Sequence, residues 1–360
     1  MANMQDIADI LNISLGTVSK GLNNRPDISD ELRKQILDTA VEIGYINRKA
    51  LKKENRALAI FVSNLLYENR EDFGYDIVMG FRKAAAAENW RVDLIPLSEE
   101  FQREHPYDAF MMSEKYSGGY HLGLSLADPW MEQFSTTTVP TILLDNYVPR
   151  NPKVASIGTD SREGIDSAIR FLVSKGHKKI AFLNGSYGST ISDERMRAYL
   201  YSMTSQGLTL DPEIAVYGYF VAETAKYHVP GFLSRGVTAI LCGDDDIACG
   251  VYECCRALGY SVPEDVSVIG FDDIPIAARL QPALTTIRQD RTELGKSAYY
   301  SLYSMTNQVP VCKTLLRPDL IVRESVGDAR LRRAKKAPPD PDSVSKRNPD
   351  LWRFFSFNQK

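Results

Sequence analysis

The chain has 360 residues, 44% of them hydrophobic, with 43 Lys and Arg against 46 Asp and Glu and a formal net charge of -3. That length exceeds one ordinary core and predicts two or three domains. The charge is uneven: both ends are richer in Lys and Arg and the middle is acidic, which excludes the middle as a nucleic-acid surface. No apolar signal segment opens the sequence and no apolar run approaches the ~20 residues that span a bilayer, so a cytoplasmic protein without membrane contact is expected.

Met4 to Asn23 reads as two short helices around a tight turn. Ile7, Ala8, Ile10 and Leu11 form one apolar face at helical spacing. Asn12 suits the left-handed turn residue, Ile13 plugs the turn, and Ser14 is a natural N-cap for a helix running from Leu15 to about Leu22. Val18 and Leu22 point inward. Leu15, Gly16, Thr17, Ser19, Lys20 and Asn23 are left outward, a face of short polar groups and one cation of the kind that reads base edges and phosphates. A third helix is expected from Ser29 to Ile43, with Asp30 and Glu31 at its positive end and Gly44 as its stop. These elements predict a DNA-binding headpiece over 1–46, set against the plainer reading of any small helical bundle. The segment 47–57 follows as a short basic linker containing Arg48, Lys49, Lys52, Lys53 and Arg56.

Downstream, short apolar runs alternate with helical patterns. The runs Leu58 to Ser63, Val92 to Leu97, Ala109 to Met112, Tyr120 to Leu126 and Thr141 to Leu144 make up a first series. A second series is placed from about Ala155. It has helices Arg162 to Ser174, Asp193 to Gln206, Ala222 to Ser234 and Ile247 to Leu258, and strands Lys179 to Leu183, Glu213 to Tyr217, Ala239 to Cys242 and Val266 to Phe271. This rhythm predicts an α/β core of two doubly wound parallel-sheet lobes. Strand-end loops of such lobes build ligand crevices, so a small-molecule site is expected between them.

Five cysteines at 242, 249, 254, 255 and 312 lack zinc spacing and suit reduced thiols; four histidines are scattered. No metal and no cofactor is expected. The loop Asn184 to Ser189 is Gly-rich but lacks both phosphate-loop and dinucleotide spacings, and no nucleophile has an evident base beside it, so the chain is not expected to be an enzyme.

Eight strings in order then carry a resemblance: ISLGTVSKGLN, SIGTDSREG, KGHKKIAFLNG, DERMRAY, CGDDDIACG, PEDVSVIGFDD, PALTTIRQ and LIVRES. From Ala2 to Ser325 the chain resembles the lac repressor (LacI/GalR) family of bacterial transcription regulators. The resemblance implies a helix-turn-helix headpiece and a core of the type I periplasmic-binding-protein kind over 58–325. Lobe 1 would span 58–159 and 290–317, and lobe 2 would span 160–289 and 318–325, with crossovers near Asp160, Gln289 and Pro318 and helix Arg291 to Met305 returning to lobe 1. It further implies a homodimer on double-stranded operator DNA, controlled by a small-molecule effector, a sugar or sugar derivative. A sugar-binding transport component or a sugar-processing enzyme is the alternative.

By the same resemblance, Arg195 is an effector-binding arginine whose plain alternative is a surface pair with Glu194, and Asp272 is a ligand carboxylate whose alternative is a loop cap. Asp245 stands evenly between ligand contact and helix cap. Phe220 is a stacking aromatic or a core residue, and Phe73 and Asp145 are the first-lobe candidates. In the linker, Leu51 would be a minor-groove wedge and Lys52 a phosphate contact. Ala198 and Asp244 depart from the family strings, which usually carry glycine and asparagine there, and Asp244 adds negative charge. The segment 326–360, basic, then Pro-rich, then aromatic, matches nothing in the family and is expected to be disordered.

Overall fold

The computed structural model describes residues 3–23, 25, 27–43, 45 and 56–331, without the side chains of 41 and 42. The linker residues Leu51 and Lys52, the stop at Gly44, and the chain from 332 onward lie outside the described residues. The chain divides into two compact units, one running to Thr159 and resumed over Asp290–Leu316, the other over Asp160–Gln289 and from Arg317 onward.

The first unit begins with α1 (Met4–Leu11), α2 (Leu15–Leu22) and α3 (Asp30–Glu42). Asn3 caps α1 in a reciprocal box with Asp6, and Asn12 ends it at φ 51°, the left-handed conformation that asparagine tolerates. Ile7, Ala8, Val18, Leu22, Ile36, Leu37 and Ala40 form the headpiece core. Ile10, expected on the apolar face, is instead 57% exposed, because an eight-residue helix buries little more than one turn's stripe.

The unit continues as β1 (Ala57–Val62), α4 (Phe73–Ala87), β2 (Arg91–Pro96), α5 (Glu99–Glu104), α6 (Tyr107–Ser113), β3 (Gly119–Leu122), α7 (Pro129–Gln133), β4 (Thr141–Leu144) and β5 (Val154–Thr159). Its sheet has the order β11-β5-β4-β3-β1-β2, where β11 is Lys313–Leu316, and every pairing is parallel. All six residues of β1 and all six of β5 are buried, as expected of strands covered on both faces. Two expectations change here. The run Ala109 to Met112 lies inside helix α6, whose Ala109 and Met112 join the headpiece cluster. The strand at Ala155 is the fifth of the first sheet and pairs with β4, so it does not open the second series.

The second unit comprises α8 (Ser161–Ser174), β6 (Ile180–Ser186), α9 (Thr190–Ser205), β7 (Ala215–Gly218), α10 (Ala225–Ser234), β8 (Ala239–Cys242), α11 (Asp245–Ala257), β9 (Ser267–Asp272), α12 (Pro275–Arg279) and β10 (Thr285–Arg288). The chain then returns to the first unit for α13 (Arg291–Thr306) and β11, and ends in the second with β12 (Asp319–Ile321). The second sheet has the order β12-β10-β9-β8-β6-β7 and is parallel except for the antiparallel β10–β12 edge. The segment expected to be disordered from 326 is held against the second unit through Val326, Gly327 and Ala329, while Leu331 is exposed. There the Ala329 amide donates to the Lys175 carbonyl, and the Gly327 carbonyl lies 3.1 Å from His177 Nε2.

In the first unit α13 lies directly on α4. A Cβ on Gly295 would come within 1.9 Å of the Ile77 carbonyl oxygen, and one on Gly80 within 2.2 Å of that of Thr292, so this crossing requires glycine on both helices. Arg291 closes it with an ion pair to Asp76 at 3.1 Å.

On the other face of that sheet, Phe61, Tyr107, Trp130 and Phe134 enclose His121, which stacks on Phe61 at 4.6 Å. Neither ring nitrogen of His121 has a hydrogen-bond partner among the described residues, and burial depresses its pKa to about 3. The folded state therefore holds the neutral ring, while the unfolded chain takes up a proton below about 6.5. Stability from this residue is fully present above that value and is lost as pH falls below it, by about 2 kcal/mol at pH 5. His121→Phe should flatten the fall in melting temperature between pH 7 and pH 5; an unchanged pH profile in this variant would contradict the assignment.

Candidate functional site

Two groups of residues stand out as interfaces, one in each unit. In the headpiece, Ser14 caps α2 by accepting from the Thr17 amide at 3.0 Å, and the two hydroxyls are 2.8 Å apart. Gly21 seats α2 on α3, where an added Cβ would meet Ile36 at 2.5 Å. The helix therefore keeps Val18 and Leu22 inward and leaves Leu15, Gly16 and Lys20 exposed, with Thr17 and Ser19 half-buried. Lys20 Nζ pairs with Asp27 at 2.6 Å, both side chains half-exposed, and Asn23 donates back to the Ser19 carbonyl at 2.7 Å. An exposed pair of this kind is weak, so Lys20 can exchange Asp27 for a phosphate at little cost.

In the second unit the strand order reverses beside β6, with β7 on one side and β8 on the other. Crevices form at the carboxyl ends of strands at such switch points. Asn184 pins the start of α9 there: it is fully buried, donates to the Ser192 carbonyl at 2.7 Å and accepts from the Gly185 amide at 2.9 Å. In the second turn of α9, Arg195 is only 3% exposed. Its guanidinium donates to the Gly243 carbonyl at 2.6 Å, lies 3.8 Å from Asp272, and sits 3.8 Å over the Phe271 ring. Among the described residues its Nε has no partner, nor has the buried Ser192 hydroxyl. The alternative of a surface pair with Glu194 does not describe this buried side chain.

Asp272 ends β9 at φ 105°, a conformation that costs of order 1–3 kcal/mol for a residue other than glycine. Gln289 holds its carboxylate at 2.6 Å, and Asp273, next in the loop, is held by Arg323 at 2.6 Å and Arg288 at 2.7 Å. Asp245 is corrected. It is fully buried, with one oxygen accepting from Thr286 at 2.6 Å and the other from the Ile274 amide at 2.9 Å, so it locks the loop instead of facing a ligand. The cap of α11 is Asp244, whose Oδ1 accepts from the Ile247 amide at 2.7 Å. Burial, and then the nearby Asp272 charge, push the Asp244 carboxyl up to about 8.

Phe220 packs partly against the core of the unit and lies over Gly185, where a Cβ would meet its ring at 2.1 Å. The ring is thus anchored in the core and covers the strand-end loop. Within the first unit, Phe73 opens α4 after β1, and Asp145 follows β4 at φ 58°, both at the carboxyl edge of their sheet. Gln289, Asn184, Phe271 and Asp244 were not singled out as site residues, although all four lie inside strings that carry the family resemblance. Lys178, Lys179, Leu208 and Asp211 line a concavity of about 540 Å³ near the amino ends of β6 and β7, the opposite edge from Arg195. Among the described residues no cluster of His, Cys, Asp and Glu could hold a metal ion, and no helix is long and apolar enough to cross a membrane.

Comparison with known proteins follows the same division. Residues 3–47 match the model for bacterial regulatory proteins of the lacI family, and residues 169–326 match a periplasmic binding protein-like domain. The chain belongs to the lacI family. It is 25% identical to the probable HTH-type transcriptional repressor ExuR of Bacillus subtilis, over 91% of this chain and 98% of that protein. It is 26% identical to the HTH-type transcriptional repressor CytR of Escherichia coli K12, over 90% and 96%. Among solved structures, the transcriptional regulator CelR–cellobiose complex superposes with a TM-score of 0.68 at 23% identity, covering 90% of this chain and all of that one. The lac repressor dimer bound to operator and the anti-inducer ONPF gives 0.63 at 23%, covering 91% and 99%. These curated relatives are named as DNA-binding repressors and not as enzymes.

Arg195→Ala or Asp272→Ala should weaken effector binding ten- to a hundredfold, the loss of about 1.5–3 kcal/mol expected for a charged hydrogen bond to a buried polar ligand. Calorimetry on the full chain reads this directly, with operator binding in the absence of effector as the folding control. Unchanged effector affinity in both variants would move the site elsewhere.

Proposed function

We propose that this chain is a transcriptional repressor whose affinity for double-stranded operator DNA is set by a small polar effector, a sugar or sugar derivative, held by the strand-end cluster around Arg195. The observation that carries this reading is the pairing, in one chain, of an exposed α2 face with a buried arginine whose Nε has no partner among the described residues. A buried guanidinium with an open donor needs an acceptor, which a ligand hydroxyl supplies. The functional division is a headpiece over 1–46, a hinge over 47–57 and an effector-binding core to 325. The repressors PurR and CytR, a ribose operon repressor and the CelR–cellobiose complex match over nearly the same span of the chain, and two of those names carry a sugar.

The DNA side rests on Ser14, Leu15, Gly16, Thr17, Ser19, Lys20 and Asn23. A homodimer would set two such faces on a pseudo-palindromic operator, half-sites one helical turn apart. Effector contacts are Arg195, Asp272 and Phe220; Phe73 and Asp145 are candidates within the first unit. Chemical turnover is no part of the function.

Gel-shift against DNA flanking the protein's own gene tests the reading, with salt varied to separate specific from nonspecific binding. Lys20→Ala should weaken operator binding by about 1–3 kcal/mol, and substitutions at Leu15 and Gly16 should change the preferred base pairs. Operator affinity and sequence preference that survive all three changes would overturn the assignment of α2, and an absence of sequence-selective binding under every effector condition would overturn the function.

A further inference from the structure

Helix α6 is apolar on two sides, and only one of them serves the sheet it lies on. Tyr107, Phe110 and Met111, at the spacing of one helical face, pack with Phe61 and Trp130. Ala109 and Met112, three apart on another side, belong instead to the cluster formed by α1, α2 and α3. The helix is firmly placed for such a role. The Tyr107 amide donates to Gln133 Oε1 at 2.8 Å, and the buried Asp108 accepts from the Thr137 hydroxyl and from the amide and hydroxyl of Thr138 at 2.9 and 2.8 Å. Its carboxyl end leads to the edge at which β1 begins, where the Ser117 amide donates to the Ala57 carbonyl at 2.8 Å.

Covalent connection does not by itself orient the headpiece. The chain from Tyr45 to Arg56 is long enough to span about 36–40 Å when extended, a reach within which α2 could face any direction. Packing of α3 against α6 removes that freedom. It also leaves the α2 face open, since Leu15 is 44% exposed and Gly16 and Lys20 are exposed with α3 in this position. A headpiece held through α3 has already lost the orientational freedom that an undocked one would lose on meeting DNA.

We propose that α6 is the seat that holds the headpiece in the free protein, with Ala109 and Met112 as positioning residues that present the α2 face to DNA. This rests on the DNA-binding reading of α2 given under the proposed function. Loss of the seat lowers the fraction of headpieces that are correctly oriented, and apparent affinity falls by that fraction. No phosphate contact is lost with it, so the salt dependence of binding stays as it was.

The test uses the full chain as wild type, Met112→Gln, the double variant Ala109→Gln with Met112→Gln, and Met112→Leu as the conservative control. None of these changes the charge. Hydrogen exchange at 30–42 should be at least fivefold faster in the double variant and near wild type in Met112→Leu, with exchange at 57–62 unchanged in both. Against DNA flanking the protein's own gene, the double variant should bind at least fivefold more weakly with an unaltered salt slope, whereas Lys20→Ala should lower that slope by about one. Should the double variant also loosen 57–62, Met112→Gln is read in its place. Unchanged exchange at 30–42 overturns the seat, and faster exchange there with undiminished DNA affinity or an altered salt slope overturns its positioning role. If the wild type shows no sequence-selective binding, the reading of α2 falls and the positioning role with it, while the exchange data alone decide whether the headpiece is seated.

Discussion

The Arg195 guanidinium is buried at the end of a parallel sheet, and much of the second unit is arranged around that constraint. The surroundings of such a group must supply acceptors and counter-charge. The Gly243 carbonyl, the Asp272 carboxylate and the face of Phe271 do so. Asp272 reaches its place only through a left-handed backbone, and that conformation is held by its neighbours: Gln289 on its own carboxylate, Arg288 and Arg323 on Asp273, and Asp245 on the Ile274 amide. These partners come from α11, β10 and the segments after β10 and β12, so the loop is specified by residues far apart in sequence. Strain held in this way at a strand end is what a preorganised binding site requires.

The headpiece obeys a different constraint, that of size. Three short helices bury few apolar side chains, and their cluster is completed by Ala109 and Met112 of α6. The glycine at 21 brings α2 close enough to α3 for Ile36 to fill the gap, which leaves the opposite side of α2 without large apolar side chains other than Leu15. A face built this way is stable without a ligand and carries little that must be displaced before DNA can approach.

Much of this was legible in the sequence, for physical reasons that differ from element to element. The strand at Ala239–Cys242 was placed at its observed bounds because an apolar run between turn residues has few alternatives inside a parallel sheet. Asn12, Ser14 and Val18 could be placed because caps and turns are local. The run at Ala109 to Met112 could not: four apolar residues fit a strand or one helical turn equally well, and burial by α3 decides it. The three consecutive aspartates at 244–246 gave no hint that the first would cap the helix and the second would vanish into the core, since that depends on Thr286 and Ile274 arriving from elsewhere. Nor could the sequence show that Gly80 and Gly295 face each other's helices, a tertiary coincidence of two positions more than two hundred residues apart.

The central claim is that one chain couples a DNA face on α2 to a ligand site at Arg195. Linkage makes that claim quantitative, because the factor by which effector changes operator affinity must equal the factor by which operator changes effector affinity. The decisive measurement is the pair of titrations on the wild-type protein at one salt concentration: operator binding with and without saturating effector, and effector binding with and without saturating operator. The account predicts two equal ratios that differ from one, both collapsing to one in Arg195→Ala. Tight effector binding that leaves operator affinity unchanged would contradict it.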